Sequence, residues 1–196
     1  MNFFENQSEI LNCRLKNLSL PEIPKTLFEN TNNGQTFVCV DGLWSNGCCN
    51  DLSSAAENAQ AVFIDGALSR LSNPKALIAL CGDKIKNGGV LIVAETVTDI
   101  EDAFLNSLEF KINNDHVRFY TVKEIISQTE NLFAPLYFAT FPHCYSIEDW
   151  AKGSSLSPDN IKSVINTFPN HIKEKIYNGA DCKIIKTKGV FVFRKI

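Results

Sequence analysis

Apolar residues along this chain fall into two rhythms, short unbroken runs and helical spacings, and their alternation sets out the fold. Residues 36–40, 61–65 and 90–97 are runs of the first kind and read as strands. The last is apolar almost throughout, which suits a strand paired in parallel with both faces covered. Between the second and third runs, Asn73-Pro74 opens a helix, with proline preorganised for the first helical position. Ala76, Leu77, Leu80 and Ile85 supply its predicted buried face, and Gly88 its predicted end. Strand, helix and strand make a βαβ unit, whose ligand site would lie at the carboxyl ends of its strands, near Asp65 and Glu95.

The remaining pattern surrounds that unit. Phe4, Leu11, Leu15 and Leu18 recur at helical intervals, so residues 3–17 read as an amphipathic helix. Residues 18–20 form a short extended piece before Pro21, and a helix is predicted through Leu27 and Phe28. Residues 30–35 are a turn-rich connection, and residues 42–60 are polar and irregular. Thr121-x-x-Glu124 is a capping box opening a helix to about residue 131, and residues 133–141 read as a strand. Ser157-Pro158 starts a helix carrying Ile161, Val164, Ile165 and Phe168. The chain then closes in a predicted antiparallel hairpin, residues 182–187 and 190–194, turning at Lys188-Gly189. These elements define an α/β class, a three-layer sandwich around a mixed sheet in a single domain over residues 1–196.

Composition narrows the partners. A net charge of −3 with scattered Lys and Arg argues against a nucleic-acid-binding face. Lys183, Lys186 and Lys188 come nearest to a basic run and read as solvated hairpin positions. No stretch approaches the ~18 apolar residues that span a bilayer, so no membrane association is expected. Met1-Asn2-Phe3-Phe4-Glu5 turns acidic before a signal-peptide pattern forms. The seven cysteines are an odd number and do not look like a disulfide framework. Cys39 and Cys81 lie in apolar patterns as core residues, and the adjacent Cys48-Cys49 pair lacks metal-ligand spacing. A cytoplasmic protein without a metal site is expected.

Several segments, taken in order, resemble the class I S-adenosylmethionine-dependent methyltransferases of the small-molecule type. Ala61-Val62-Phe63-Ile64-Asp65-Gly66-Ala67-Leu68 is similar to that family's fourth strand and the loop after it. Lys86-Asn87-Gly88-Gly89-Val90-Leu91-Ile92 resembles its K-P-G-G turn into strand five, with Asn87 in place of proline. Arg118-Phe119-Tyr120-Thr121-Val122-Lys123-Glu124 is similar to a late R-x-Y-T-x-x-E segment. Tyr145-Ser146-Ile147-Glu148-Asp149-Trp150, the Ser157-Pro158 helix and Gly189-Val190-Phe191-Val192-Phe193 resemble the closing region. The resemblance implies a Rossmann-like methyltransferase sandwich.

It also exposes a departure. Leu20-Pro21-Glu22 and residues 36–41 resemble the family's second strand, the helix after it and its third strand. About seventeen residues precede them, with no glycine among them, where the first strand and glycine loop belong. The first βα unit is therefore expected to be missing, or replaced by the helix of residues 1–17. Glycine lets backbone approach the cofactor without a Cβ in the way, and Leu20 stands where an acid would hold the ribose. In a second register, residues 37–47 become a degenerate first strand and glycine loop, leaving about fourteen residues before the fourth strand.

What the resemblance implies about function divides accordingly. The leading expectation is a methyltransferase-like protein without the standard cofactor loop, a noncatalytic or repurposed subunit with a protein partner or a second copy. The alternative is a divergent, active S-adenosylmethionine-dependent methyltransferase acting on a small molecule. Asp65 and His143 are then the catalytic candidates, the latter placed just beyond a strand ending at Phe141. Asp41, Gly42, Asp65 and Gly66 are the cofactor-binding candidates, with Asp41 meeting adenine. Otherwise no cofactor is expected. Trp150 is expected in the core, and Trp44, in a polar loop, at an interface.

Overall fold

Residues 36–40, 43–48, 59–99, 103–152, 154–178 and 183–196 are described in the structure, a computed structural model. Among them, seven strands form one mixed sheet. In chain order they are β1 (Thr36–Val40), β2 (Leu43–Cys48), β3 (Ala59–Asp65), β4 (Ile85–Val97), β5 (Phe133–Ser146), β6 (Tyr177–Asn178) and β7 (Lys183–Lys195). The sheet runs β2-β1-β3-β4-β7-β5, with β6 also on β7. The helices are α1 (Pro74–Lys84), α2 (Ala103–Ile112), α3 (Val122–Thr129), α4 (Ile147–Lys152), α5 (Pro158–Asn166) and α6 (Asn170–Ile176).

The βαβ unit forms as its pattern predicts. β3 and β4 pair in parallel from Ala61–Val90 to Asp65–Ala94, joined through α1. Pro74 sits in the first turn of α1, but the helix ends at Lys84 and not at Gly88. Its buried side is Pro74, Ile78, Cys81 and Gly82, while Ala76 is exposed. Ile85 already belongs to β4. Residues 86–89 stand against the single residue Gln60 in the ladder with β3, and Gly88 takes the left-handed turn there with φ of 76°. α3 opens on the expected box: Thr121 Oγ1 accepts the Glu124 N–H (3.1 Å), and Thr121 N–H donates to Glu124 Oε2 (2.8 Å).

Two expectations fail at the carboxyl-terminal end. β7 is one continuous strand through Lys188 and Gly189, paired with β4 on one side and β5 on the other. There is no hairpin turn, and Gly189 has another reason to be glycine. A Cβ at Gly189 would fall 2.8 Å from the Phe191 ring and 2.9 Å from Val97 Cγ1, so two side chains already fill that space. Nor are Lys186 and Lys188 solvated: they are 7% and 3% exposed.

Register gives each face its own layer. Val62, Ile64, Leu91, Val93, Phe191 and Phe193 share one face and pack against Ile78 and Cys81 of α1 and Ile125 of α3. Burial pushes the Cys81 thiol up to about 12, in keeping with a core residue. On the opposite face Ile184 packs with Leu108 and Ile112 of α2, Ile147 and Trp150 of α4, and Ile161 and Ile165 of α5. The expected three layers are present, and Trp150 is a core residue. α2, α6, β2 and β6 were not expected. Trp44 lies in β2, opposite Cys39, and not in a loop.

The amino-terminal flank of the sheet differs from both expected registers. β1 pairs with β3 antiparallel, Thr36 opposite Ile64 and Cys39 opposite Ala61, and with β2 antiparallel. A third strand would be parallel and distant from the fourth, and a first strand would be parallel and adjacent. The expected helix over residues 1–17 and the strand near Leu20 lie outside the described residues. No helix among the described residues is long and apolar enough to cross a membrane.

Candidate functional site

The carboxyl ends of β3 and β4 mark the place where a ligand of this fold would sit. β3 closes on Asp65, opposite Ala94. Gly66 follows with φ of 64°, a left-handed conformation open to glycine, and donates its N–H to the Ala94 carbonyl (2.9 Å). The chain then enters a short 3-10 turn, Leu68–Arg70. Glu95, 1% exposed, turns its carboxylate back on this turn and accepts the Leu68 N–H at 2.6 Å.

From the other side, the segment between α2 and α3 grips the same loop. The Ser69 carbonyl accepts the N–H groups of Val117 (2.8 Å) and Arg118 (3.1 Å). Arg70 pairs with Asp115, and the Tyr120 hydroxyl donates to the Leu71 carbonyl (3.2 Å). The loop after β3 is thus fastened to β4 and to residues 115–120 by backbone and side-chain bonds together.

A second polar cluster lies under α2 on the opposite face. Glu109 is buried and accepts from three donors: Lys186 Nζ to Oε2 (2.5 Å), Trp150 Nε1 to Oε1 (3.2 Å) and Asn113 Nδ2. The Lys186 ammonium also stands 4.1 Å from the Trp150 ring, 5.4 Å from Tyr145 and 5.6 Å from Phe119. Burial alone would raise Glu109; the Lys186 charge and its hydrogen bond, with that of Trp150, outweigh it and hold the carboxyl below its ordinary value.

Beside this pair, His116 is 5% exposed and bonded through Nε2 to Asn106 Oδ1 (3.1 Å). That oxygen also accepts the Phe119 N–H, which assigns the His116 proton to Nε2. Burial pushes His116 below its usual value, and nearby Glu109 only partly opposes this. The Glu109 carboxylate accepts from three donors, and His116 donates through Nε2. Among the described residues no three His, Cys, Asp or Glu side chains converge as a metal site.

The candidate residues from sequence divide between these places. Asp65 and Gly66 stand together at the end of β3. His143 lies inside β5, opposite Lys186, and not beyond the strand, because β5 continues to Ser146. Asp65 aligns through Ala94 and Val190 with Ala139, four residues from His143 along β5. Strand spacing and rise place the two backbones about 20 Å apart, so the structure does not bring them together. Asp41 and Gly42 lie outside the described residues. Glu109, Lys186 and His116 were not predicted as a group.

No family model matches the sequence, and no curated protein matches it either. Solved structures do match in fold. One is a protein of Bacillus halodurans C-125, provisionally named a methyltransferase. It is 17% identical, with a TM-score of 0.60 over 71% of this chain and 70% of that one. Another is the YcgJ protein of Bacillus subtilis, 15% identical, with a TM-score of 0.52 over 72% of this chain and 66% of that one. The chain shares the Rossmann-like α/β fold of these proteins.

Proposed function

We propose that this domain is a methyltransferase-fold protein that does not use the standard cofactor site, and that it serves as a noncatalytic or repurposed partner subunit. The antiparallel pairing of β1 with β3 carries the proposal. A cofactor crevice in an open α/β sheet needs loops from neighbouring strands to leave at the same end. β3 ends at Asp65, but β1 runs the other way: its last residue, Val40, lies beyond the Cys39–Ala61 pair, toward the start of β3. Of the two strands paired with β3, only β4 is parallel to it; β2 runs the same way but is separated from β3 by β1. The closed loop after β3 supports the same reading, since Leu68 and Ser69 are buried and already hydrogen-bonded.

Thermal unfolding with S-adenosylmethionine at about a hundredfold over a typical dissociation constant tests it. A binder would gain about 2.7 kcal/mol, a melting shift of roughly 5–10 °C for a domain of this size. The expected result is no shift. A shift of that size, abolished by Asp65→Ala, would overturn the proposal in favour of a divergent small-molecule methyltransferase.

A further inference from the structure

His116 stands where the two polar clusters meet, in a segment that is tethered at both ends. At one end the Asn113 N–H donates to the Glu109 carbonyl (2.8 Å), extending α2. At the other, the Tyr120 carbonyl accepts the Thr98 N–H (3.2 Å), and Tyr120 bridges to Val97 at the end of β4. Between these tethers, residues 114–118 hold the loop after β3 by few bonds. Val117 and Arg118 share one acceptor, the Ser69 carbonyl. The Arg70–Asp115 pair is partly exposed, and such pairs contribute little. Beneath them lies the buried His116 ring, 4.5 Å from the Phe119 ring, with Nε2 on Asn106 Oδ1.

The charges around that ring come from four places. Glu109 of α2 and the adjacent Asp115 favour a proton on it; Lys186 of β7 and Arg70 of the loop after β3 oppose one. Both carboxylates are already matched, Glu109 by Lys186 and Asp115 by Arg70. An imidazolium also has two N–H groups to satisfy. Among the described residues the ring is hydrogen-bonded at Nε2 alone, to an oxygen shared with the Phe119 N–H. Water therefore accommodates a charged His116 better than this cluster does.

We propose that His116 is an acid-sensitive latch: on taking up a proton its ring leaves the cluster, draws Val117 and Arg118 off the Ser69 carbonyl, and opens the loop that closes the carboxyl end of β3. The opening is local, because both tethers and the Glu109–Lys186 pair stay in place. It uncovers Leu68 and Ser69, which are buried in the closed form. The latch works whether or not the site takes a cofactor.

Amide hydrogen exchange on the full chain, corrected for the intrinsic rate from about pH 7.5 to about pH 5, tests the latch. The closed form holds His116 below its ordinary 6.5, so the open form binds the proton first. Protection of the Val117 and Arg118 amides should fall below pH 6.5, by up to about tenfold per pH unit, while the amides of β4 keep theirs. By NMR, the His116 ring and these two amides should titrate with one midpoint. His116→Gln retains a donor toward Asn106 but cannot titrate, and its protection should not vary over this range. Unchanged protection at the acid end, a loss shared equally by β4, separate midpoints, or an undiminished loss in His116→Gln would each overturn the latch.

Discussion

The two faces of the sheet pack differently: the α1–α3 side is mainly apolar, with the buried Glu95 carboxylate bonded to the Leu68 N–H, and the α2–α4 side holds a buried ion pair. On the α1–α3 side the buried contacts run from Ile78 to Phe193 through aliphatic and aromatic groups. On the α2–α4 side, Ile184 shares its strand and its face with Lys186, and the packing between helix and sheet is interrupted by Glu109, Lys186, Asn113 and His116. An apolar face loses stability in proportion to the volume removed. A polar face is governed by pairing, because a lone buried charge costs far more than a missing pair.

Lys186→Met would break the contrast most sharply. It leaves Glu109 buried without its counter-charge, held only by the Trp150 and Asn113 donors, and should cost about 3–5 kcal/mol in denaturant unfolding. Adding Glu109→Leu should return most of that loss; a double variant no more stable than the single one would show that packing, not pairing, governs this face. On the apolar side, Ile78→Ala should cost about 2–5 kcal/mol, with no second substitution on the polar face able to restore it.

Acid is the gentlest probe. His116 has its folded value depressed below 6.5, so the unfolded chain binds the extra proton first. Its contribution is complete above the unfolded value and is lost as the pH falls below about 6.5. Glu109, also depressed, adds a second loss below about 4.5. The first loss should appear as a stability slope of at most about 1.4 kcal/mol per pH unit. The slope between pH 7 and 5 should flatten in His116→Gln, and an unchanged slope there would assign the acid sensitivity elsewhere.

The same division governed what the chain disclosed before its structure. β3, β4, α1, α3 and α5 follow from local signals: apolar runs, Pro74, the Thr121 box and Ser157-Pro158. Lys186 and Lys188 could not be placed this way, because lysine in a strand usually marks a solvated position. The burial of Lys186 depends on Glu109, seventy-seven residues away in sequence. Gly189 misled for a related reason, since crowding by Val97 and Phe191 and a turn both call for glycine. At the candidate site, Asp65 and Gly66 were legible from the strand they end. The direction of β1 was not, because a threonine and four apolar residues specify a strand without specifying which way it runs.

β7 lies between β4 and β5, yet it follows both of them in the chain. Until residues 183–195 have been synthesised, each of those earlier strands lacks its shared neighbour and presents a raw edge of unpaired amides and carbonyls. Before β7 is made, β5 has no partner among the described strands, and the closure that joins it to β4 through β7 brings together contacts far apart in sequence, a slow kind of step. A nascent chain stalled short of Lys183 would be a substrate for chaperones.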